Sequence, residues 1–238
     1  MKRGCFLPVS IICCLMTILP ARADSQFPFV PPENIVSKKK LPLDHLNFIR
    51  TQQGRTYLIS DDGRYVFQGM LFDVWNGAKI GSINEMQKLS QRIRLDYLGV
   101  DTKKMFTLDL GTGSKEVLIF SDPNCGLCHK LLNKINNSNL IKNHFTVRAV
   151  ITPLMDKTSM EKSKVLAAMA QKDPDSALNA FINNSFDNGG VPDQPVPGIQ
   201  YNLILAQALS IQNFPFIVNS SGRIHIGMPD DIYLFLSK

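Results

Sequence analysis

The sequence predicts an α+β protein made of a small antiparallel sheet near the N-terminus and a larger region in which strands and helices alternate. Three observations predict this class: turn-linked strands over residues 55–77, an amphipathic helix after them, and alternating strand and helix patterns beyond residue 106. The chain has 238 residues, 44% of them hydrophobic, enough for one large domain or two small ones. Charged residues make up 19%, which is typical of a globular protein rather than a disordered one.

The first 23 residues have the features of a signal peptide. Lys2 and Arg3 precede an apolar run over residues 5–19, and Ala-Arg-Ala at 21–23 is a cleavage site of the A-x-A type. The run is shorter than the roughly 20 residues that a membrane-spanning helix needs, so an uncleaved anchor is the less favoured alternative. We therefore expect cleavage near Ala23 and a soluble, exported chain.

Removal of this segment changes the cysteine count and the charge. Cys5, Cys13 and Cys14 would leave with it, and Cys125 and Cys128 would be the remaining thiols. A disulfide between them closes too short a loop to stabilise a fold much, so the pair is predicted to perform chemistry. The net charge would fall from +6 to +3, which gives no indication of a nucleic-acid partner.

Residues 24–43 are rich in proline and polar residues, which predicts an extended arm. Three strands follow, in "TYLIS", "RYVFQG" and "MLFDVWNG", with a turn at "DDG". Residues 83–98 have a helical period, and their apolar stripe consists of Met86, Leu89, Ile93 and Tyr97. We interpret this helix as a linker and expect a domain boundary near residue 105.

The second half alternates strands and helices. Predicted strands lie at "EVLIF", "FTVRAVI", "PFIVN" and "RIHIG", and a long loop covers residues 186–198. Predicted helices cover residues 125–138, 158–171, 175–183, 199–209 and 229–237. The first of these helices would bury Cys128, Leu131, Leu132 and Ile135 on one face, and a capping box of Thr158 and Glu161 would open the second.

The stretch "SDPNCGLCHK" contains the cysteine pair that is predicted to react. A helix N-terminus favours thiolate, so the pattern predicts Cys125 as an exposed attacking thiol and Cys128 as a buried resolving thiol. Gly126 would let the turn pack tightly, and Leu127 would offer an apolar contact beside the sulfur. His129 would stabilise a thiolate through partial positive charge.

The same letters fit two other sites. C-x-x-C-H is also the attachment pattern of a c-type haem, with His129 as one axial ligand. A second axial ligand could come from Met155, Met160, Met169 or Met228, although methionine in an apolar stretch is usually core. A zinc site is a weak alternative because the chain has no second C-x-x-C or His pair, and we interpret His45, His144 and His225 as surface or structural residues.

Pro215 opens a predicted strand far downstream of the cysteines. An X-Pro bond can be cis at low cost, and a trans proline at a strand start is equally well tolerated. The spacing alone leaves both alternatives open.

The segments "VLIFSDPNCGLCHKLLNKI" and "NFPFIVNSSGRIHIG" resemble the DsbC/DsbG family of periplasmic disulfide isomerases. The segment "YLISDDGRYVFQGMLFDVWNG" resembles that family's dimerisation domain, so the likeness covers most of the mature chain. It implies a cystatin-like dimerisation domain at 24–82, a linker helix at 83–105, and a thioredoxin fold at 106–238 with a helical insertion at about 156–210. The resemblance makes Cys125 the nucleophile, Cys128 the resolving thiol and Pro215 the cis-proline.

The chain departs from the family pattern at several positions. Phe214 precedes Pro215 where the family's well-known isomerases have a small hydroxyl residue, which bears on redox tuning and substrate preference. The predicted insertion carries no second cysteine pair, unlike some members. Ile119 occupies the position at which thioredoxin has a buried aspartate, which DsbC-like proteins also lack.

The expected function is thiol–disulfide interchange that isomerises or reduces non-native disulfides in exported proteins. Its redox group would be the Cys125–Cys128 pair, without a metal or other cofactor. The resemblance implies a periplasmic, V-shaped homodimer that meets misoxidised chains and is kept reduced by a DsbD-like membrane thiol reductant. The alternatives are a chaperone-like binding dimer with secondary redox work and, less favoured, a c-type cytochrome.

Overall fold

The structure is a computed structural model that describes residues 35–40, 45–186, 192 and 194–238. The chain divides into two compact units, residues 1–68 and 69–238. The expected signal peptide and its cleavage site lie outside the described residues, as do residues 187–191 and 193 of the predicted loop at 186–198. Among the helices of the described residues, none is long and apolar enough to cross a membrane.

The first unit is a four-stranded antiparallel sheet in the order β1-β2-β3-β4. Its strands are β1 (Ile35–Lys40), β2 (Leu46–Thr51), β3 (Thr56–Ser60) and β4 (Val66–Gln68). The predicted strand "TYLIS" is confirmed, whereas β1 and β2 were not predicted. Residues 35–40 form a strand rather than part of an arm because they pair with β2, a tertiary contact that their basic sequence does not indicate.

The second unit opens with a separate hairpin of β5 (Leu71–Asp73) and β6 (Ala78–Ile80). The third predicted strand, in "MLFDVWNG", therefore pairs with β6 and not with the strand before it. The Asp73 carboxylate organises the turn because it accepts the backbone N–H groups of Trp75 and Asn76. Gly77 completes the turn with a φ of 61°, a conformation that glycine adopts without steric cost.

Helix α1 (Ile83–Leu89) is shorter than the predicted helix over residues 83–98. Its C-terminal end is closed by Asn76, whose side-chain amide donates to the carbonyl oxygens of Leu89 and Arg92. The chain then turns away, and the Ile93 N–H donates to the carbonyl oxygen of Gly222 at 2.8 Å. Of the predicted apolar stripe, Met86 and Ile93 are buried, but Tyr97 is 55% exposed, so the stripe does not continue as one helix face; Ile93 instead packs in a core beside the five-stranded sheet.

A five-stranded sheet is the centre of the second unit, in the order β11-β10-β8-β9-β7. Its strands are β7 (Thr107–Leu110), β8 (Lys115–Ser121), β9 (Phe145–Ile151), β10 (Phe216–Val218) and β11 (Ile224–Ile226). Strands β8 and β9 are parallel, and all other neighbours are antiparallel. The four strands predicted for this half are confirmed, while β7 was not predicted.

Six helices of the described residues accompany this sheet. They are α2 (Gly126–Asn136), α3 (Asn139–His144), α4 (Lys157–Lys172), α5 (Pro174–Ile182), α6 (Pro197–Ala208) and α7 (Ile232–Ser237). Helices α4, α5 and α6 fall in the range expected for the insertion. The N-cap of α4 is Asp156, whose carboxylate accepts the Ser159 N–H, so the predicted capping box of Thr158 and Glu161 is wrong. Asp156 directly precedes Lys157, the first helical residue, and an aspartate at this position can accept a free backbone N–H of the first turn.

The sheet has a hydrophobic core on each face, because alternate strand residues point to opposite sides. Val117 and Ile119 of β8 belong to a core with residues of α2, α4, α5 and α7. Leu118 and Phe120 belong to the other core, with residues of α6 and the segment after α1. The predicted α+β class is confirmed, and the long apolar run of β8 is explained by burial on both faces.

Candidate active site

Three loops meet at one end of the five-stranded sheet. Strand β8 ends at Ser121, which pairs in parallel with Ile151 at the end of β9. Strand β10 runs the opposite way and pairs Phe216 with Phe120, so it begins where β8 ends. The loops at 122–125, 152–156 and 213–215 consequently lie close together. The Phe214–Pro215 peptide bond in the third loop is cis.

Cys125 forms the N-cap of α2. Its Sγ accepts the backbone N–H of Cys128 at 3.1 Å, and its carbonyl oxygen accepts the N–H of His129 at 3.2 Å. The two cysteines are joined by a disulfide, with Cα atoms 5.2 Å apart. A sulfur at this position receives a hydrogen bond and the positive end of the helix dipole, and both favour a thiolate on Cys125 after reduction.

The two sulfurs differ in accessibility. Cys128 is 0% exposed and lies with Leu131, Leu132 and Ile135 on the buried face of α2, as its spacing predicted. Cys125 retains 7% exposure, so the prediction that it is exposed is wrong in this disulfide-bonded form. Its sulfur is bonded to Cys128 Sγ and accepts the Cys128 N–H at the start of the helix. The order of accessibility still favours attack at Cys125.

Gly126 and Leu127 occupy the exposed turn between the cysteines. A Cβ atom added to Gly126 would meet no atom within 4 Å, so tight packing does not explain this glycine. The turn is open because it faces solvent above the sheet end. Leu127 is 41% exposed, which leaves its side chain available beside the disulfide.

His129 is held as a neutral side chain. Its Nε2 lies 3.0 Å from the carbonyl oxygen of Pro123, and a carbonyl can only accept, so Nε2 carries the proton. The ring packs edge-on against Phe181. Burial is the largest cause that lowers the pKa of His129 below its ordinary value, and Lys162 adds to this effect. A neutral ring supplies little positive charge to a thiolate at neutral pH.

Asp122 is a fully buried carboxylate that the sequence did not single out. Its Oδ1 accepts the Asn124 N–H at 2.7 Å and the Ser159 hydroxyl at 2.7 Å. Its Oδ2 accepts the N–H groups of Leu154 and Met155 at 2.8 and 2.9 Å. One side chain thus joins the loop that carries Cys125 to the loop after β9 and to α4.

Asn124 makes a second connection between these elements. Its side-chain amide donates to Asp156 Oδ1 at 2.9 Å and to Thr158 Oγ1 at 2.7 Å. Its oxygen accepts from the Lys162 ammonium at 2.7 Å. "DPN" precedes the cysteine in the sequence, but nothing in the sequence shows which distant residues meet it.

The third loop brings Phe214 and Pro215 to this end of the sheet. Pro215 is buried, and its carbonyl oxygen accepts the Gly227 N–H at 2.8 Å. Phe214 is half-buried and packs against both cores, including the one that contains the cysteines. Ile119 is fully buried in that core, so an apolar side chain stands below the disulfide.

The other candidate ligands are dispersed. His45 lies 3.5 Å from Asp61, the His144 ring bonds the Tyr233 hydroxyl, and the His225 ring contacts Phe235. Met169 and Met228 pack against the core, while Met155 is 58% exposed. In the part of the chain that the structure describes, no group of three or more His, Cys, Asp or Glu residues could hold a metal ion. The His129 Nε2 is hydrogen-bonded to Pro123 and is not directed at a free axial position.

Comparisons with known proteins agree with this architecture. A family model described as "Thioredoxin-like domain" matches residues 105–229. The thiol:disulfide interchange protein DsbC of Haemophilus influenzae is 26% identical over 193 residues, which are 80% of this chain and 77% of that protein. DsbC of Escherichia coli K12 is 25% identical over 199 residues, which are 83% of this chain and 79% of that protein.

Solved structures that align with this chain include two bacterial proteins. Helicobacter pylori DsbG aligns over 77% of this chain and 92% of its own, with 17% identity and a TM-score of 0.40. Proteus mirabilis ScsC in a transitional conformation aligns over 65% of this chain and 83% of its own, with 20% identity and a TM-score of 0.47.

Proposed function

The chain belongs to the thioredoxin-like domain family, and we propose that Cys125 and Cys128 carry out thiol–disulfide interchange on exported proteins. It is a thiol:disulfide interchange protein similar to DsbC. The observation that carries the proposal is the placement of Cys125 at the N-cap of α2, disulfide-bonded to the buried Cys128 and at the same sheet end as the cis-proline. The c-type cytochrome and the chaperone-like dimer are not favoured.

The first step is attack by the Cys125 thiolate on one sulfur of a substrate disulfide. A new bond joins Cys125 to that sulfur, the substrate disulfide breaks, and the other substrate sulfur leaves as a thiolate. The helix N-terminus stabilises Cys125 as a thiolate, which also makes it a good leaving group in the reverse reaction. Cys125 is the more accessible sulfur of the pair, so a substrate meets it first.

Two outcomes are open to the mixed disulfide. A substrate thiolate attacks the substrate sulfur, a different substrate disulfide forms, and Cys125 is released, which is isomerisation without net oxidation. Alternatively, the Cys128 thiolate attacks the Cys125 sulfur and releases the substrate sulfur, so the substrate gains two electrons and the enzyme disulfide forms. The second outcome requires a thiol reductant to restore the dithiol, and we assign this role to a DsbD-like membrane protein.

Exposed apolar side chains lie at the same end of the sheet as the disulfide and would contact an unfolded chain. Leu127 lies between the cysteines, and Leu154, which is 44% exposed, and Met155 follow β9 at the same sheet end. The Leu154 and Met155 N–H groups bond the Asp122 carboxylate, which fixes their backbone beside the Cys125 loop. Misoxidised proteins with exposed apolar segments are the substrates that this surface fits.

The remaining assignments follow the family resemblance. We propose a periplasmic protein that loses residues 1–23, with a dimerisation domain at 24–82, a linker at 83–105 and a catalytic domain at 106–238. Within the catalytic domain, Pro215 presents backbone to the substrate, and Phe214 replaces a hydroxyl residue with an aromatic contact. Gly126, Leu127 and His129 support the site without forming bonds to the substrate sulfur.

Refolding of scrambled ribonuclease, a protein with several disulfides, tests the proposal. We expect the reduced protein to restore ribonuclease activity, and we expect Cys125→Ser to abolish this effect because the attacking sulfur is lost. Cys128→Ser is the matched control, since it retains attack and accumulates a mixed disulfide that can be trapped. Equal behaviour of the two variants, or no recovery with reduced wild-type protein, would contradict the proposed roles.

A further inference from the structure

We propose that Lys162 is an electrostatic positioning residue for the dithiol: an ammonium that neutral groups hold against the Cys125 loop and that stabilises negative charge on the Cys125 sulfur. This inference rests on the proposed role of Cys125 as the attacking thiol. It adds a residue from the helical insertion to the redox site.

The position of Lys162 is set by the residue next to the nucleophile. Its Nζ donates to the side-chain oxygen of Asn124 at 2.7 Å, and Asn124 directly precedes Cys125. The Asn124 amide nitrogen is itself held by Asp156 and Thr158 at the start of α4. Helix α4 carries Lys162 two turns or less from these residues, so one continuous set of hydrogen bonds fixes the ammonium relative to Cys125.

The other contacts of Lys162 are also with neutral groups. Its Nζ donates to the side-chain oxygen of Asn184 at 3.2 Å and lies 4.6 Å from the centre of the Phe186 ring. Across the residues that the structure describes, Lys162 forms no ion pair. Its positive charge is therefore not cancelled by a carboxylate contact, and its half-buried position weakens the screening by solvent.

The charged groups around the Cys125 loop have both signs. Asp122 and Asp156 are carboxylates that accept several hydrogen bonds each, and their negative charge opposes that of Lys162. On α2, His129 is neutral for the reasons given above and Lys130 is exposed to solvent. The third loop contributes the uncharged Phe214 and Pro215. The fixed cation that the contacts place beside the loop is thus Lys162.

The neutral state of His129 is a second sign of this cation. After burial, Lys162 is the other cause that lowers the pKa of His129, while Asp122 acts in the opposite direction; the backbone N–H of His129 donates to the Cys125 carbonyl oxygen. The field of Lys162 therefore reaches a residue one helical turn beyond the nucleophile. A thiolate in the same region is stabilised by the charge that disfavours an imidazolium.

The chemical consequence concerns the reduced enzyme. Reduction by glutathione converts the enzyme disulfide and two glutathione thiols into a Cys125 thiolate, a Cys128 thiol, glutathione disulfide and one proton. A cation beside Cys125 stabilises the product of this reaction, so it lowers the thiol pKa and makes the enzyme disulfide more oxidising.

The experiment removes the charge in two ways. Lys162→Met removes the ammonium and its hydrogen bonds, whereas Lys162→Gln retains a donor for Asn124 and removes only the charge. We expect both variants to raise the pKa of the Cys125 thiol by about half a unit to one unit, because the site is partly screened by solvent. We expect the equilibrium constant for reduction of the enzyme by glutathione to fall by about three- to tenfold in the variants, in favour of the enzyme disulfide. This holds at a pH above the Cys125 thiol pKa of both the wild-type and the variant protein.

The thiol pKa is measured from the absorbance of thiolate at 240 nm as a function of pH. Each lysine variant is measured in a Cys128→Ser background so that Cys125 is observed, and a variant in which both Cys125 and Cys128 are Ser provides the baseline for other cysteines. A proton NMR titration of His129 is an independent measurement, and its pKa should rise in both lysine variants.

Two control variants separate charge from structure. Lys162→Arg retains the charge and should leave the Cys125 thiol pKa within about 0.2 unit of the wild-type value, an allowance that is small beside the expected shift. Lys164→Met removes a half-buried lysine two positions along α4 and should have no effect. The proposal is overturned if Lys162→Gln behaves as wild type, if Lys162→Arg shifts the pKa as Met does, or if Lys164→Met has an equal effect.

The result is independent of isomerase activity. The thiol titration and the glutathione equilibrium use no protein substrate, so a chain that fails to refold ribonuclease can still show the expected shifts. Conversely, if the protein is an active isomerase but its Cys125 thiol pKa is the same in the Lys162 variants, only the proposed role of Lys162 is contradicted.

Discussion

His129 shows at the scale of one residue how an environment changes a side chain's role. The motif suggests a haem ligand or a cation beside a thiolate. The Pro123 carbonyl and the Phe181 ring instead fix the orientation of the imidazole, and burial lowers its pKa more than the Pro123 hydrogen bond raises it. Its place in the helix came from the sequence, but its protonation depends on residues brought to it by folding.

The His129 pKa has a consequence for stability. A histidine whose pKa is lower in the folded state binds a proton less readily than in the unfolded chain, so stability falls as pH drops from about 6.5 through the folded pKa. We expect His129→Gln to reduce this loss of stability with falling pH. One titrating group can change the unfolding equilibrium constant by at most about tenfold per pH unit, so this is the upper limit of the difference between the two proteins. Urea unfolding of both proteins at pH 7.5, 6.5 and 5.5 measures it, and parallel curves would contradict the assignment.

Asp122 is the residue on which the geometry of the active-site loops depends. Asp122→Ala would leave three backbone N–H groups and the Ser159 hydroxyl without their acceptor, at a cost of about 2–4 kcal/mol in the free energy of unfolding. Ser159→Ala removes one of the four donors and should cost about 1 kcal/mol. Urea unfolding of both variants checks this order, and an Ala variant at 122 with wild-type stability would refute it.

At the scale of elements, pairing partners decided what local patterns could not. The strand in "MLFDVWNG" pairs with β6, and α1 ends at Leu89 because Asn76 caps it and Ile93 turns to bond Gly222. Strands β1 and β7 form because neighbouring strands present open edges to them, not because their sequences favour strands strongly. Long, strongly patterned elements such as β8 and α2 were predicted correctly.

Substitution of two glycines by alanine should have different effects on stability. A Cβ atom on Gly113, in the turn between β7 and β8, would overlap the backbone of His144 and Phe145, where α3 meets β9. Gly113→Ala should therefore destabilise the protein by about 3 kcal/mol. Gly126→Ala is the matched control, since the added methyl meets nothing, and its stability should change by less than about 1 kcal/mol. Thermal unfolding of both distinguishes them, and similar losses would contradict the packing described here.

At the scale of the whole molecule, the first unit offers a surface for self-association. Strand β4 is an edge of its sheet, and Phe67 on this strand is 57% exposed. An exposed apolar edge is where a second chain can pair, which supports the proposed dimer. This inference concerns the first unit by itself and requires no particular arrangement of the two units.

Sedimentation equilibrium tests the dimer. We expect the wild-type protein to have twice the mass of one chain, and Phe67→Glu to raise the dimer dissociation constant at least about tenfold by placing charge on the edge strand. Val74→Glu, a change at a residue of the second unit that is 71% exposed, should leave association unchanged. A monomeric wild-type protein, or equal effects of both changes, would argue against this edge.

Export is also a property of the whole chain. Expressed in a Gram-negative host, the protein should be recovered from the periplasm with Asp24 as its first residue, since Ala-Arg-Ala at 21–23 fits the signal peptidase. Intact-mass measurement locates the N-terminus. Recovery of an uncleaved chain in the membrane fraction would favour an anchor instead.

The sequence by itself determined the α+β class, the motif and the buried stripe of α2, because periodicity and a helix-starting C-x-x-C are local properties. The family resemblance added the thioredoxin fold and disulfide interchange, both of which the comparisons support. Only the tertiary structure joined Asp122, Asn124 and Lys162 around Cys125, because these contacts cross more than 30 positions of the chain. Periodicity reports which face of an element is buried, but the partner on that face is set by how the sheet ends meet.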